Sequence, residues 1–234
     1  MFKAILFDLD GTLLDIDMDY FLQEYFREMV HTARERGIEA KELPVRVWKA
    51  SDAMIGNKDP LLTNQQVFEQ DFFAAADHET EIYVPLFDEF YQQRFDRLQK
   101  FVDIYPLAQA IVKRAFELGG KVAIATNPVF PRLAIDKRLN WAGVGDYPYH
   151  LVTTYEDMHF TKPHTEYYQE VADRLGVKPA ECLMVGNDAA EDLTAAQLGM
   201  KTFLVKDRLL NGHLDVKPDW EGSLEDLLEF LSGL

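Results

Sequence analysis

The stretch that most restricts how this chain can fold is AILFDLDGT, Ala4 to Thr12, in which four apolar residues run directly into two carboxylates, Asp8 and Asp10, and then a glycine. A continuous apolar run of that length suits a strand covered on both faces, as in a parallel sheet with helices on either side. Two carboxylates at the end of such a strand repel one another unless a cation is shared between them. In open α/β sheets ligands bind beyond the carboxyl ends of the strands, so the pair marks a candidate site as well as a strand end.

Similar runs recur at KVAIATN (Lys121 to Asn127), HLVTTY (around Leu151), ECLMVGND (Glu181 to Asp188) and KTFLV (Lys201 to Val205). Between them apolar residues return at helical spacing. Leu107, Ile111, Ala115 and Leu118 lead to the Gly119-Gly120 stop, Tyr168, Ala172 and Leu175 lead to Gly176, and AEDLTAAQLG closes on Gly199. The alternation predicts an α/β fold with a doubly wound parallel sheet. From about Ile16 to Phe101 the strand signal stops. DYFLQEYFREMVHTARERG, NQQVFEQDFFAAA and PLFDEFYQQRFDRLQKF repeat apolar residues at helical spacing, with ASDAMIGNKDPLLTN read as irregular between two of these helices. The expected organisation is a core of residues 1–15 and 102–234 with an all-helical insertion at 16–101. Ser223 is expected to cap a final helix.

The 234 residues, 47% hydrophobic, can bury a substantial core. Against 24 Lys and Arg stand 40 Asp and Glu, a formal charge of −16, which argues against nucleic acid and anionic membrane surfaces as partners. A small phosphorylated metabolite stays allowed, because one metal ion and a few local cations reverse the field inside a pocket. The single cysteine, Cys182, rules out a disulfide framework within the chain and reads as a small buried apolar residue. With no apolar run long enough to span a bilayer and a strand pattern at the N-terminus, a cytoplasmic protein is expected. No heptad seam or symmetric patch indicates an oligomeric state.

If the sheet is parallel, Asp8, Asp10, Thr126, Asn127 and Asp188 arrive at one edge, joined by Lys162 from the loop after the third strand. Oxygen-rich clusters of this kind suit Mg2+, which binds through a few carboxylates, waters and a substrate phosphate. The expected metal ligands are Asp8, Asp10 and Asp188. Asp8 is then a carboxylate nucleophile toward phosphorus, and Asp10 a general acid and base for the leaving alkoxide and the attacking water. Lys162, Thr126 and Asn127 are expected to hold the phosphoryl oxygens.

This set of motifs resembles the haloacid dehalogenase-like superfamily across most of the chain. DLDGT matches its first motif, IATN the second, TKPHTEYY the third and GNDAAED the acidic fourth. Two positions depart from the pattern: Thr165 stands where many relatives have proline, and Asn187 occupies a glycine slot. The second departure leaves open whether Asn187 or Asp188 is the direct metal ligand. Asp192 is expected to orient Lys162 or a water bound to the metal. The resemblance implies a Rossmann-like core, Mg2+ and a phosphatase whose inserted helices form a mobile cap over the substrate. Arg46, Trp48, Asn57 and Lys58 are candidates for cap specificity, though for any one of them a surface role is the commoner outcome. Asp10 argues against a dehalogenase. The rivals are a sugar phosphomutase of the same superfamily and a binding protein that keeps the fold without turnover.

Overall fold

Strand β1 (Ala4–Phe7) is buried at every position and supplies both faces of the core. Ile5 and Phe7 join one apolar cluster and Ala4 and Leu6 the other, as the two-residue period of a strand requires. The computed structural model describes residues 2–74 and 79–234. In chain order the further strands are β2 (Leu14–Ile16), β3 (Val102–Ile104), β4 (Lys121–Ile124), β5 (Leu151–Val152), β6 (Cys182–Gly186), β7 (Lys201–Val205) and β8 (Trp220–Gly222). Six of them form one parallel sheet in the order β5-β4-β1-β6-β7-β8, with Phe7 opposite Ile124 on one side and Val185 on the other. The strands expected from sequence are present. The edge strand β8 was not expected, since its exposed WE dipeptide carries no apolar alternation.

The insertion consists of α1 (Met18–Glu35), α2 (Leu43–Gly56), α3 (Asn64–Phe72) and α4 (Thr80–Glu89), continued by a π turn at Phe90–Arg94 and a 3-10 turn at Phe95–Phe101. It leaves and re-enters the core through an antiparallel ribbon of β2 and β3, pairing Leu14 with Ile104 and Ile16 with Val102. Asp17 caps α1 by accepting from the Tyr20 backbone N–H, and a Thr63–Gln66 capping box opens α3. Much of the segment expected to be irregular is instead helical: Ala50 to Gly56 completes α2, because Met54 and Ala50 continue its buried stripe. The expected helical stretch through Ala75 and Ala76 ends outside the described residues.

In the core, α5 (Ala108–Glu117) and α8 (Leu224–Ser232) cover one face of the sheet and α7 (Thr165–Leu175) the other. Ser223 caps α8 as expected. The stretch after Ala189 forms a 3-10 turn at Asp192–Leu198 rather than an α-helix, and ends at left-handed Gly199. A further helix, α6 (Arg132–Trp141), carries Trp141, whose ring stacks on Phe95 at 5.3 Å and joins the insertion to the core. Burying a ring of that size contributes roughly 1.5–3 kcal/mol.

Candidate active site

The strand ends converge. Asp8 and Asp10 follow β1, and Gly11, in the left-handed region at φ +82°, turns the chain away. A Cβ on Gly11 would come within 2.4 Å of Asn187 Nδ2, so only glycine lets the loop after β6 close on this turn. Thr12 Oγ1 donates to Asn187 Oδ1 at 2.9 Å and lies 3.3 Å from Asp8 Oδ2. Asn187 Nδ2 in turn donates to the Arg208 carbonyl at 2.7 Å.

Lys162 is the hub. Its ammonium, 1% exposed, donates to Asp8 Oδ1 at 2.8 Å and to Asp192 Oδ1 at 2.6 Å. Burial alone would push this amine down, but Asp192 and Asp8 outweigh it and hold it well above its ordinary value, so it is cationic. Burial raises the Asp8 carboxyl against the pull of Lys162, and pushes Asp192 up to about 6 and Glu191 up to about 7. Asp192 Oδ2 also accepts from the Asp188 backbone N–H at 2.9 Å, which locks the acid in place.

Thr126 and Asn127 stand beyond β4 and line the same cavity. The Thr126 carbonyl accepts from Thr153 Oγ1 at 2.7 Å and from Tyr167 OH at 2.9 Å, which fixes the loop. Asn127 Oδ1 accepts from the Lys162 backbone N–H at 3.2 Å, and its Nδ2 donates to Glu191 Oε1 at 3.0 Å. The second, third and fourth motifs are thus tied together by one amide.

The three carboxylates expected to share a metal are engaged differently. Asp8 keeps Oδ2 on the side away from Lys162. Asp10 Oδ2 receives Arg138 Nη1 at 2.5 Å while its Oδ1 is buried with no partner. Asp188 Oδ1 accepts the backbone N–H groups of Ala190 and Glu191 at 2.7 and 3.2 Å and Asn211 Nδ2 at 2.8 Å, and so caps its own loop. Among the described residues no three His, Cys, Asp or Glu side chains are grouped to hold a metal ion. Asp8 Oδ2 and Asn187 Oδ1 both accept from the Thr12 hydroxyl, which ties the first motif to the loop after β6.

Arg138 was not foreseen. It lies on α6, is fully buried, and sits with its guanidinium 4.4 Å from the centre of the Phe130 ring. Its signal was available: Arg138 continues the stripe of Ala134 and Ile135, and an arginine on an apolar face implies a buried acid. Burial nonetheless pushes the Asp10 carboxyl above its ordinary value, against the opposing effect of Arg138.

Of the four specificity candidates, Trp48 lines the cavity. The other three do not. Arg46 is held by Glu79 at 2.6 Å and lies over the rings of Phe72 and Tyr83, Lys58 is an exposed partner of Glu166, and Asn57 donates to the carbonyls of Asp59 and His159. His159 pairs with Glu170, and His164 contacts the Ile55 carbonyl, so both histidines serve local structure. The cavity occupies about 550 Å³ between the strand ends and the inserted helices. No described helix is long and apolar enough to cross a membrane.

A family model of haloacid dehalogenase-like hydrolases matches residues 2–199. The chain is 28% identical to the pyrophosphatase PpaX of Bacillus cereus strain AH820, covering 99% of this chain and 97% of that protein. It is 25% identical to the glyceraldehyde 3-phosphate phosphatase of Methanopyrus kandleri, over 88% of this chain and 84% of that one. Among solved structures, a HAD phosphatase from Thermococcus onnurineus superposes with a TM-score of 0.59 at 23% identity, covering 99% of this chain and 98% of that one. The L-2-haloacid dehalogenase of Xanthobacter autotrophicus superposes with a TM-score of 0.58 at 20% identity and full coverage of both chains, a likeness of fold alone.

Proposed function

This chain belongs to the haloacid dehalogenase-like hydrolase family, and from that premise we propose that it is a phosphatase that cleaves a small phosphomonoester through an aspartyl-phosphate on Asp8. The observation that carries the reading is Lys162 bonded to one oxygen of Asp8 while the other oxygen of that carboxylate stays clear of it. A nucleophile needs a free lone pair aimed outward and a fixed cation beside the group it attacks. The phosphatase names of relatives matched over most of their length agree with it.

In the first half-reaction an Asp8 oxygen bonds to phosphorus as the ester P–O bond breaks, and Asp10 delivers its proton to the departing alkoxide. Burial raises the Asp10 carboxyl against the opposing effect of Arg138, the direction that a proton donor requires. In the second half-reaction Asp10 takes a proton from water, whose oxygen attacks the same phosphorus, releasing inorganic phosphate and restoring Asp8. Lys162, kept cationic and oriented by Asp192, neutralises phosphoryl oxygen charge through both steps, with the Thr126 hydroxyl and Asn127 beside it. Residues 16–101 act as the cap, entered and left through the β2–β3 ribbon, and exclude water around the ester.

Mg2+ fits this donor set. One or two carboxylates with waters and a substrate phosphate are what that ion ordinarily takes. Asp8 would hold it together with Asp188 or Asn187 from the loop after β6, all three of which line the cavity. When bound, the ion supplies positive charge between two anions that must approach each other.

The test is a phosphate-release screen over sugar phosphates, nucleotides, phospho-amino acids and aryl phosphates, with Mg2+ and with chelator. Release that depends on Mg2+, needs no bisphosphate activator and is lost in Asp8→Asn supports a phosphatase over a mutase. Absence of release from every ester would reject the reading.

A further inference from the structure

The part of the cavity formed largely by the inserted helices has a distinct chemistry. Its wall is aromatic: Tyr25, Trp48, Phe68, Phe87, Tyr91 and Phe130 line it. These rings are packed against one another, with Tyr25 edge-on to Phe130 at 5.7 Å, its hydroxyl 2.7 Å from that of Tyr91, and Trp48 6.2 Å from Phe26. A volume of about 550 Å³ is far more than a phosphate group fills, and leaves room for a ring system on the alcohol.

The charge lining that part is of one sign. Asp52 on α2, Asp88 on α4 and Glu156 after β5 face the cavity, and no lysine, arginine or histidine is among its described lining residues. Glu156 is partly satisfied as the acceptor of the Arg132 backbone N–H at the start of α6, but Asp52 and Asp88 are solvent-exposed carboxylates. Basic side chains of the neighbouring elements are already committed: Arg46 to Glu79, Lys49 to Asp71, Arg94 to Glu35 and Lys137 to Asp96. A second anionic group on the substrate would meet Asp52, Asp88 and Glu156, while the buried guanidinium behind the Phe130 ring, Arg138, is already paired with Asp10. A neutral ring would meet apolar surface, and a cation would gain from both the acids and the ring faces.

Resting on the phosphatase reading, we infer that the substrate is a phosphomonoester whose leaving group is aromatic and uncharged or positively charged. Substrates with a second anionic centre, including inorganic pyrophosphate and phosphorylated carboxylic acids, are disfavoured. The cavity therefore separates this chain from what its pyrophosphatase-named relatives are said to act on.

The experiment compares the phosphate monoesters of 4-methylphenol, tyramine and 4-hydroxyphenylacetic acid with Mg2+. These three phenols have closely similar leaving-group acidity and differ in the charge at the far end. The expected order of kcat/KM is tyramine ester at least equal to the methyl ester, with the carboxylate ester lower by about tenfold or more, a fold-change of the size that one uncompensated charge contact produces. Pyrophosphate should likewise fall at least about tenfold below the methyl ester. In the double variant Asp52→Lys with Asp88→Lys, both positions being exposed and outside the catalytic group, the preference should collapse or invert. Equal rates on the three esters, a lead for the carboxylate ester, or an unchanged order in the double variant would overturn the inference while leaving the phosphatase reading intact. Release from none of the three, with release from another ester of the wider screen, would overturn the inference alone, and release from no ester at all would overturn that reading with it.

Discussion

Removing the Arg138 guanidinium tests whether the buried pair with Asp10 organises the catalytic edge. Arg138→Met keeps an unbranched side chain of partly matching volume and deletes the charge. The wild-type contact is 2.5 Å between a fully buried guanidinium and a carboxylate that is 14% exposed. Breaking a buried pair by deleting one partner costs about 3–5 kcal/mol, because the other charge stays desolvated. Asp10 already has one buried oxygen without a partner, and its carboxyl is raised by burial, so it can escape part of the penalty by taking up a proton. The expected loss is therefore at the lower end, about 3 kcal/mol, or roughly 6–12 °C in Tm for a chain of this size. Thermal unfolding followed by circular dichroism reads this directly. Asp10→Asn alone should also destabilise, and the double variant should lose less than the sum of the singles by about 2 kcal/mol. A Tm for Arg138→Met within about 2 °C of the parent, or strict additivity in the cycle, would refute the pair as an organising contact.

Three other perturbations follow from the same geometry. A Cβ at Gly186 would lie 2.0 Å from Asp192 Oδ2, so Gly186→Ala should push that acid off Lys162, costing about 1–3 kcal/mol of overpacking and at least tenfold in kcat; unchanged turnover would contradict the Lys162–Asp192 link. Asp10→Asn should slow alkyl phosphates more than aryl phosphates with acidic leaving groups, and equal losses for both would remove the general-acid role. The Cys182 thiol is fully buried, and burial pushes it up to about 11. Its thiolate at pH 8 is then roughly one part in a thousand, scarcer than in the unfolded chain and rising about tenfold per pH unit toward 11. Iodoacetamide should leave it unmodified in the native protein at pH 8 and label it fully in denaturant, whereas rapid native labelling would contradict its burial.

Where side-chain chemistry and local pattern agreed, the chain was readable in advance. The run from Ala4 to Phe7 could only be a doubly covered strand, and it forms the centre of the sheet. Motif spacing carried Lys162 to Asp8 and Asp192 because each lies at or near the end of a strand whose direction the helical crossovers dictate. What stayed hidden depended on partners distant in sequence. The 3-10 geometry of Asp192–Leu198 is one case: Asp192 is drawn inward to Lys162 and to the Asp188 backbone, which a helical apolar period does not report. Arg138 is another, since its acid lies 128 positions away. Asn64 is a third: the first residue of a stretch read only as helical, it is fully buried, and its amide donates to the Pro128 and Phe160 carbonyls, tying the insertion to the loops that carry Asn127 and Lys162. The engagement of Asp188 in its own loop, and of Asn187 with Thr12, likewise follows from the closeness of two strand ends and not from either stretch alone.

The account rests on phosphorus becoming bonded to Asp8, and trapping that bond tests it most directly. The enzyme is mixed with a 32P-labelled aryl phosphate and Mg2+, quenched in acid within one turnover, and its peptides are mapped. The expected result is acid-stable, hydroxylamine-labile label on the peptide containing Asp8, absent from Asp8→Asn. Inorganic phosphate formed at full rate with no label on the protein, together with an Asp8→Asn variant that still turns over, would contradict it.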